Sequence, residues 1–272
     1  MDLLVVGGSG LLGREVVRQA RAAGRRVAAT FHRRPALAGG VAWHGLDIRR
    51  REDVTALLAR LRPAVVVNAA YRQADWASTA DGGAHVAVAA VAVRARLVHV
   101  SSDAVFSGRA VRYDEACPPD PVTPYGAAKA AAETAVRALD PGAVIARTSL
   151  IVGDEGDSTH EARVRALVAG EADGVLFTDD VRCPVHVADL AAALLDLAAS
   201  EHRGVHHVAG ADAVSRHELG TLIARRDGLD PARLPAARRA GTGLPGALDV
   251  RLDCALTQSR LTTRLRGARE FL

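Results

Sequence analysis

The chain contains a single lysine, a single asparagine and a single methionine in 272 residues. Arginine carries the rest of its permanent positive charge. A sequence this poor in lysine uses arginine wherever charge alone is needed. Lys129 therefore marks a place that wants an ammonium rather than a guanidinium. Aromatic residues make up only 3%, so a core drawn from the 49% of hydrophobic residues must be Ala, Val and Leu. Cys117, Cys183 and Cys254 are odd in number and lack paired spacing, which excludes a disulfide framework and suggests free thiols in a reducing cytoplasm. No apolar run approaches the ~18 residues of a membrane span, and Leu3 to Val6 is too short for a signal-peptide core. The net charge is +4 with arginines scattered along the chain, which speaks against a nucleic-acid tract. No His, Cys and carboxylate cluster has the spacing of a metal set, and there is no internal repeat or clear linker.

What is present begins at once. Residues 2–6 read as a short apolar strand, followed by Gly7-Gly-Ser-Gly10-Leu-Leu-Gly13 and a helical pattern to about Ala23, which Gly24 ends. Strand, glycine turn and helix is the context in which such a motif holds a dinucleotide. Gly7 allows the tight turn, Gly10 lets backbone approach a pyrophosphate at the helix N-terminus, and Gly13 lets helix and strand pack closely. The second strand runs from Arg26 to Phe31 and into His32-Arg33-Arg34. An NAD site usually places an acid about ~20 residues beyond the glycines, on the ribose 2′-hydroxyl. Two arginines stand there instead, so the spacing predicts a 2′-phosphate held by Arg33 or Arg34 with His32, hence NADPH, with NADH as the alternative.

Further strands are expected at 41–46, 64–68, 97–100 and 143–147, with helices at 52–61 and 84–93. The segment from Arg72 to Gly83 reads as polar and irregular. This alternation predicts an α/β fold, a doubly wound parallel sheet of Rossmann type over residues 1–150. Asn68 ends the nearly all-apolar strand at 64–68, and its side chain is expected beside the ligand crevice. Trp76 either lines a substrate pocket or covers the core. Ser101 and Ser102, at the end of another strand, are placed to donate to a substrate oxygen.

Thr123-Pro124 reads as a helix start, and the helix runs to Leu139 before Asp140-Pro-Gly. Tyr125 and Lys129 lie four apart on it and share a face. An ammonium beside a phenol lowers a pKa that begins near ~10, giving a tunable proton donor. After Val152 the pattern loosens. Gly153 to His160 reads as an acidic loop, a lid or pocket wall. Residues 151–272 read as a smaller α+β substrate portion interleaved with the first, with a helix after Asp189 to about Ala199 and another from Ser215 through Arg226.

These motifs, in this order and spacing, resemble the extended short-chain dehydrogenase/reductase family. Ser101-Ser-Asp-Ala-Val-Phe106 and the short length resemble its dTDP-4-dehydrorhamnose reductase branch. The resemblance implies that Tyr125 protonates a carbonyl oxygen, that Lys129 holds the nicotinamide ribose, and that Ser102 hydrogen-bonds the reacting oxygen. It implies that Gly7, Ser9, Gly10, Leu11, Leu12 and Gly13 cradle the pyrophosphate. Asp47 and Ile48 would flank the adenine, and Asn68, Ala69, Ala70 and Tyr71 would line the cofactor. Trp76, Asp103 and Arg182 are the substrate-side candidates, Arg182 because Arg182-Cys-Pro-Val-His186-Val-Ala-Asp189 resembles an element that bounds the pocket. The chain departs from the branch at Ala74-Asp-Trp-Ala-Ser78, at Leu150 in place of a Trp, and in the loop after Gly153. The implied activity is NADPH-dependent reduction of a nucleotide-linked 4-keto-6-deoxysugar by a cytoplasmic enzyme, with a homodimer as an open option. The alternatives are a non-catalytic dinucleotide-binding regulatory subunit and a nucleotide-sugar epimerase.

Overall fold

The computed structural model describes residues 1–36, 39–154 and 158–272. In the first half strands and helices alternate: β1 (Leu3–Val6), α1 (Leu11–Ala22), β2 (Val27–Phe31), β3 (Ala42–Gly45), α2 (Arg51–Leu61), β4 (Val65–Asn68), α3 (Gly82–Ala92), β5 (Arg96–Ser102), α4 (Pro124–Leu139) and β6 (Val144–Thr148). The second half adds α5 (Thr159–Ala169), α6 (Val187–Ala199), β7 (Gly204–His207) and α7 (Arg216–Arg226), with two-residue strand pairs between them. The sheet order is β7-β6-β5-β4-β1-β2-β3, and every neighbouring pair is parallel. The chain leaves β1 toward β2 on one side and returns to β4 on the other, which opens a crevice at the strands' C-terminal ends.

β1 shows why the sheet is buried on both faces. Leu3 and Val5 point to one side, into a core shared with Val16, Val17 and Ala20 of α1 and Leu190, Leu194 and Leu197 of α6. Leu4 and Val6 point to the other, against Val54 and Leu58 of α2, Val86 and Ala90 of α3 and Val136 of α4. A two-residue period on a doubly covered sheet makes every position apolar. The seventh strand and α6 both come from beyond residue 150, so the second half completes the sheet as well as building its own core. That core joins Val164, Leu167 and Val168 of α5 to Leu219 and Ile223 of α7.

Two expectations are corrected. The stretch before residue 84 is not irregular throughout: Ala77–Asp81 forms a π-helical turn that runs into α3 at Gly82. The carboxylate of Asp75 starts it, accepting from the Ser78 N–H at 3.0 Å. Gly82 and Gly83 resemble a break in sequence, but they lie in the helix, and the neighbours packed on them leave no room for a side chain. A Cβ on Gly82 would stand 2.7 Å from Ile48 Cδ1, and one on Gly83 3.0 Å from Ala132 Cβ of α4. The second correction is α5, which replaces the end of the expected acidic loop. Ser158 and Glu161 form a reciprocal capping box at its start, a pattern legible in Ser-x-x-Glu. Residues 155–157 of that loop lie outside the described residues. No helix among the described residues is long and apolar enough to cross a membrane.

Candidate active site

The glycine turn sits at the crevice. Gly7 has φ +83°, and its N–H donates to Thr30 Oγ1 of β2 at 3.0 Å. A side chain at Gly7 would strike Ala70 at 2.8 Å, so the ends of β1 and β4 touch across the switch point. A Cβ at Gly13 would lie 2.2 Å from Gly7 O, which holds α1 hard against the turn. Gly10 is the N-cap of α1, with no side-chain cap and no acid in the first turn. The first N–H groups of α1 are thus left by the side chains for an anion to take. Ser9 and Leu11 are partly exposed there, whereas the Leu12 side chain is buried in the core beneath. This cradle fits a dinucleotide pyrophosphate by backbone and glycine alone.

His32, Arg33 and Arg34 are exposed just past β2. Asp47 is taken by Arg49, whose Nη2 lies 2.6 Å from its Oδ2 and which pulls the carboxyl pKa down to about 2 by hydrogen bonding. Ile48 is buried, and its carbonyl accepts from His85 Nδ1 at 2.9 Å. Asn68 is only 1% exposed. Its Nδ2 pairs with His99 Nδ1 at 3.2 Å and its Oδ1 accepts from the Ala70 N–H at 3.2 Å. The expectation that its side chain stands beside the crevice is therefore corrected: Asn68 shapes the β4 turn from inside. Ala69 and Ala70, half-buried, carry that turn toward the crevice.

Tyr125 and Lys129 face the same way on α4, with Glu133 one turn further. The stripe Lys129, Ala132, Glu133, Val136 is the helix's buried face. Thr123 caps the helix by accepting from the Gly126 N–H at 3.0 Å, with Pro124 in the first turn. Gly126 follows Tyr125 because a Cβ there would come within 2.0 Å of Ala104 O, so α4 starts in close contact with the turn after β5. That contact sets the start of α4 beside Ser102, whose hydroxyl donates to Asp103 Oδ1 at 3.3 Å and accepts from the Ala104 N–H at 3.2 Å.

Lys129 is 3% exposed; its Nζ donates to Val100 O at 3.0 Å and stands 4.9 Å from the centre of the Tyr71 ring. Tyr71 in turn lies 5.8 Å from Tyr125, ring to ring, while itself 54% exposed. Burial pushes the Lys129 pKa down to about 8, with Glu133 opposing the fall. The expected acidification of Tyr125 by Lys129 is not seen in this arrangement. Burial raises the phenol above its ordinary range, the charges of Tyr71 and Asp103 add to this, and only the nearby Ser102 hydroxyl opposes it. The ammonium is directed at Val100 O and the Tyr71 ring, and its charge helps hold the buried His99 ring neutral. A phenol held protonated is the form that can donate a proton.

Asp103 is buried behind this pair and accepts from Ser149 Oγ at 2.6 Å. Trp76 is 51% exposed and stands apart from the residues lining the cleft. Arg182 does line it. This cleft, about 750 Å³, runs from Thr123 and Tyr125 past Phe106 to Phe177, between α5 and α7. Three further cations that sequence reasoning missed face it: Arg163, Arg216 and Arg239. So does His160. Asp180 sits among them, 2.9 Å from Arg182, 3.2 Å from Arg239 and 3.4 Å from Arg216. A signal existed: Arg216 and His160 occupy the first turns of helices capped by Ser215 and Ser158. An arginine there opposes the helix dipole and so points to an anion beside it, for Arg216 the carboxylate of Asp180 at 3.4 Å.

The RmlD substrate binding domain family matches residues 1–270. The probable low-salt glycan biosynthesis reductase Agl14 of Haloferax volcanii is 31% identical over 264 residues, 91% of this chain and 87% of that protein. The dTDP-4-keto-6-deoxy-D-glucose reductase of Streptomyces niveus is 32% identical over 253 residues, 88% of this chain and 84% of that one. Among solved structures, a hypothetical dTDP-4-dehydrorhamnose reductase from Sulfolobus tokodaii superposes with a TM-score of 0.84 at 25% identity, covering 98% of this chain and 97% of that one.

Proposed function

This chain belongs to the RmlD substrate binding domain family, and on that premise we propose that it reduces the 4-ketone of a nucleotide-linked 6-deoxysugar with NADPH. It is an NAD(P)H-dependent oxidoreductase of the extended short-chain dehydrogenase/reductase type. The observation that carries the finer reading is the position of Tyr125, at one end of a cleft whose other walls carry four guanidiniums. A proton donor at one end and an arginine-rich wall beyond it suit a ketosugar joined to a diphosphate.

On this reading each residue takes a role. The backbone at Gly7, Gly10 and the start of α1 holds the pyrophosphate of the dinucleotide. Arg33 and Arg34 hold the 2′-phosphate, and Lys129 and Tyr71 hold the nicotinamide side. When bound, the reduced nicotinamide supplies a hydride. Tyr125 delivers its proton to the ketone oxygen, and the Ser102 hydroxyl steadies the charge growing on that oxygen. Arg182, Arg216 and Arg239 hold the diphosphate. The relative from Streptomyces niveus is named for a 4-keto-6-deoxysugar substrate, which supports the same class here.

The test is NADPH oxidation with a panel of dTDP- and UDP-linked 4-ketosugars. Turnover with a 4-keto-6-deoxysugar and none with simple ketones is the expected outcome. Tight NADPH binding with no turnover on any member sinks the reading. For the choice of dinucleotide, Arg33→Ala combined with Arg34→Ala should raise KM for NADPH by about tenfold or more, the worth of one lost charge-assisted hydrogen bond. KM for NADH should move less than about twofold. Equal changes in the two constants would refute the 2′-phosphate assignment.

A further inference from the structure

Among the described residues, the cleft contains more positive charge than carboxylates neutralise. Arg163, Arg182, Arg216 and Arg239 line it. The carboxylates set against them are Asp180 and, 3.7 Å from Arg182 Nε, the buried Asp103. Four guanidiniums against two carboxylates leave two charges, which matches the fixed double negative charge of a diphosphate diester. Burial lowers the Arg216 pKa and repulsion from Arg182 adds to this, against the opposing charge of Asp180.

His160 stands at the edge of this excess. It is the second residue of α5, in the same wall as Arg163 one turn later, and faces Arg216 at the start of α7. No hydrogen bond to a described residue holds its ring. Among the described residues, the charged groups around it are Arg216 from α7, Asp180 from the turn before Val181, and Glu161 on its own helix. Glu161 is already committed: its Oε1 lies 2.5 Å from Arg226 Nη2, and its Oε2 accepts from the N–H groups of Ser158 and Gly153 at 3.2 Å. Asp180 is shared among three arginines. Neither carboxylate is available to hold an imidazolium.

We infer that the His160 ring is a proton-linked contact for the substrate's diphosphate, gaining a proton as the diphosphate enters the cleft beside Arg216. This rests on the substrate class proposed above and names a residue that governs how tightly that class is held. In the free protein, burial and the Arg216 charge push the His160 pKa down to about 4, so the ring is neutral at pH 6. A diphosphate among the guanidiniums reverses the local field. An opposite charge within 4–6 Å raises a pKa by about 1–3, which brings the ring into titration near pH 6. The sign is then fixed. The bound state carries more protons than the free state, so affinity rises as pH falls from about 7 toward 5.

The experiment is titration calorimetry of dTDP-glucose into the protein saturated with NADP⁺, at pH 6.0, in MES and in Bis-Tris. These buffers differ in ionisation enthalpy, so the difference in heat counts protons. dTDP-glucose has no ketone to turn over, and its diphosphate diester carries no titrating proton in this range. The wild type should take up about half a proton or more, and Kd should weaken several-fold between pH 5.5 and 7.5. His160→Gln should show no uptake and a Kd independent of pH. Uptake unchanged in His160→Gln, or absent in the wild type, overturns the proposal while leaving the substrate class standing. Failure of both dTDP-glucose and UDP-glucose to bind overturns the substrate class and the proposal with it. The ring ¹⁵N shifts of His160 in the wild type, with and without dTDP-glucose, read the same protonation without a substitution.

Discussion

Tyr125→Phe should lower kcat for ketosugar reduction by about 10²–10⁴-fold, the usual worth of a positioned general acid. The substitution removes one oxygen. The ring remains at the start of α4, still packed 5.8 Å from Tyr71, and Gly126 still allows the close approach to Ala104. NADPH affinity should therefore stay within about twofold, because the phenol is proposed to act on the ketone and not on the dinucleotide. The Tyr125 hydroxyl is buried enough to be protonated throughout the neutral range. Loss of the hydroxyl therefore removes a proton, not a charge. The measurement is kcat and KM for one ketosugar, with NADPH affinity by fluorescence titration. A Phe variant that keeps more than about a tenth of wild-type kcat would show that the proton comes from elsewhere, and the assignment of Tyr125 would fail.

The largest stability effect is expected about two turns further along the same helix. Glu133 of α4 and Arg147 of β6 form an ion pair at 2.8 Å, with side chains only 2% and 1% exposed. Glu133 also accepts from Ser101 Oγ, and Arg147 donates to Cys117 O at 3.1 Å and lies over the Phe106 ring. Glu133→Ala leaves a buried guanidinium without its carboxylate. Breaking one side of such a pair costs about 3–5 kcal/mol. For a chain of this size that is a fall in Tm of roughly 6–20 °C. Glu133→Leu with Arg147→Met should recover much of the loss, since a buried pair is often replaceable by apolar residues of similar volume. Thermal melts of the three proteins decide it. A single variant that melts within about 2 °C of wild type would mean the guanidinium finds another partner or water, and the pair is not structural.

Most of the sheet was legible because its cause is local. Four-residue apolar runs with a glycine turn after the first can be little else than buried parallel strands, and β1, β4 and β5 lie within two residues of their expected places. The helix at Tyr125 was legible for the same reason: Thr123 and Pro124 mark its start by their own geometry. The readings that failed are those where a residue's role depends on a distant neighbour. Gly82 and Gly83 signal a break until Ile48 and Ala132 are seen against them. Asn68 reads as a strand-end side chain beside the crevice until His99 of the adjoining strand takes its amide.

By itself the sequence determined the architecture of the first half, the glycine cradle and the i, i+4 pair on α4, since backbone preference and side-chain period act over a few residues. Only the tertiary structure decided where charge goes. It turned the Lys129 ammonium onto Val100 O and Tyr71, raised the phenol it was expected to acidify, and gathered Arg182, Arg216, Arg239 and His160 from separate stretches of the chain into one cleft. The physical reason is that electrostatic energy depends on distance through space and on burial. A sequence states neither until its elements have packed.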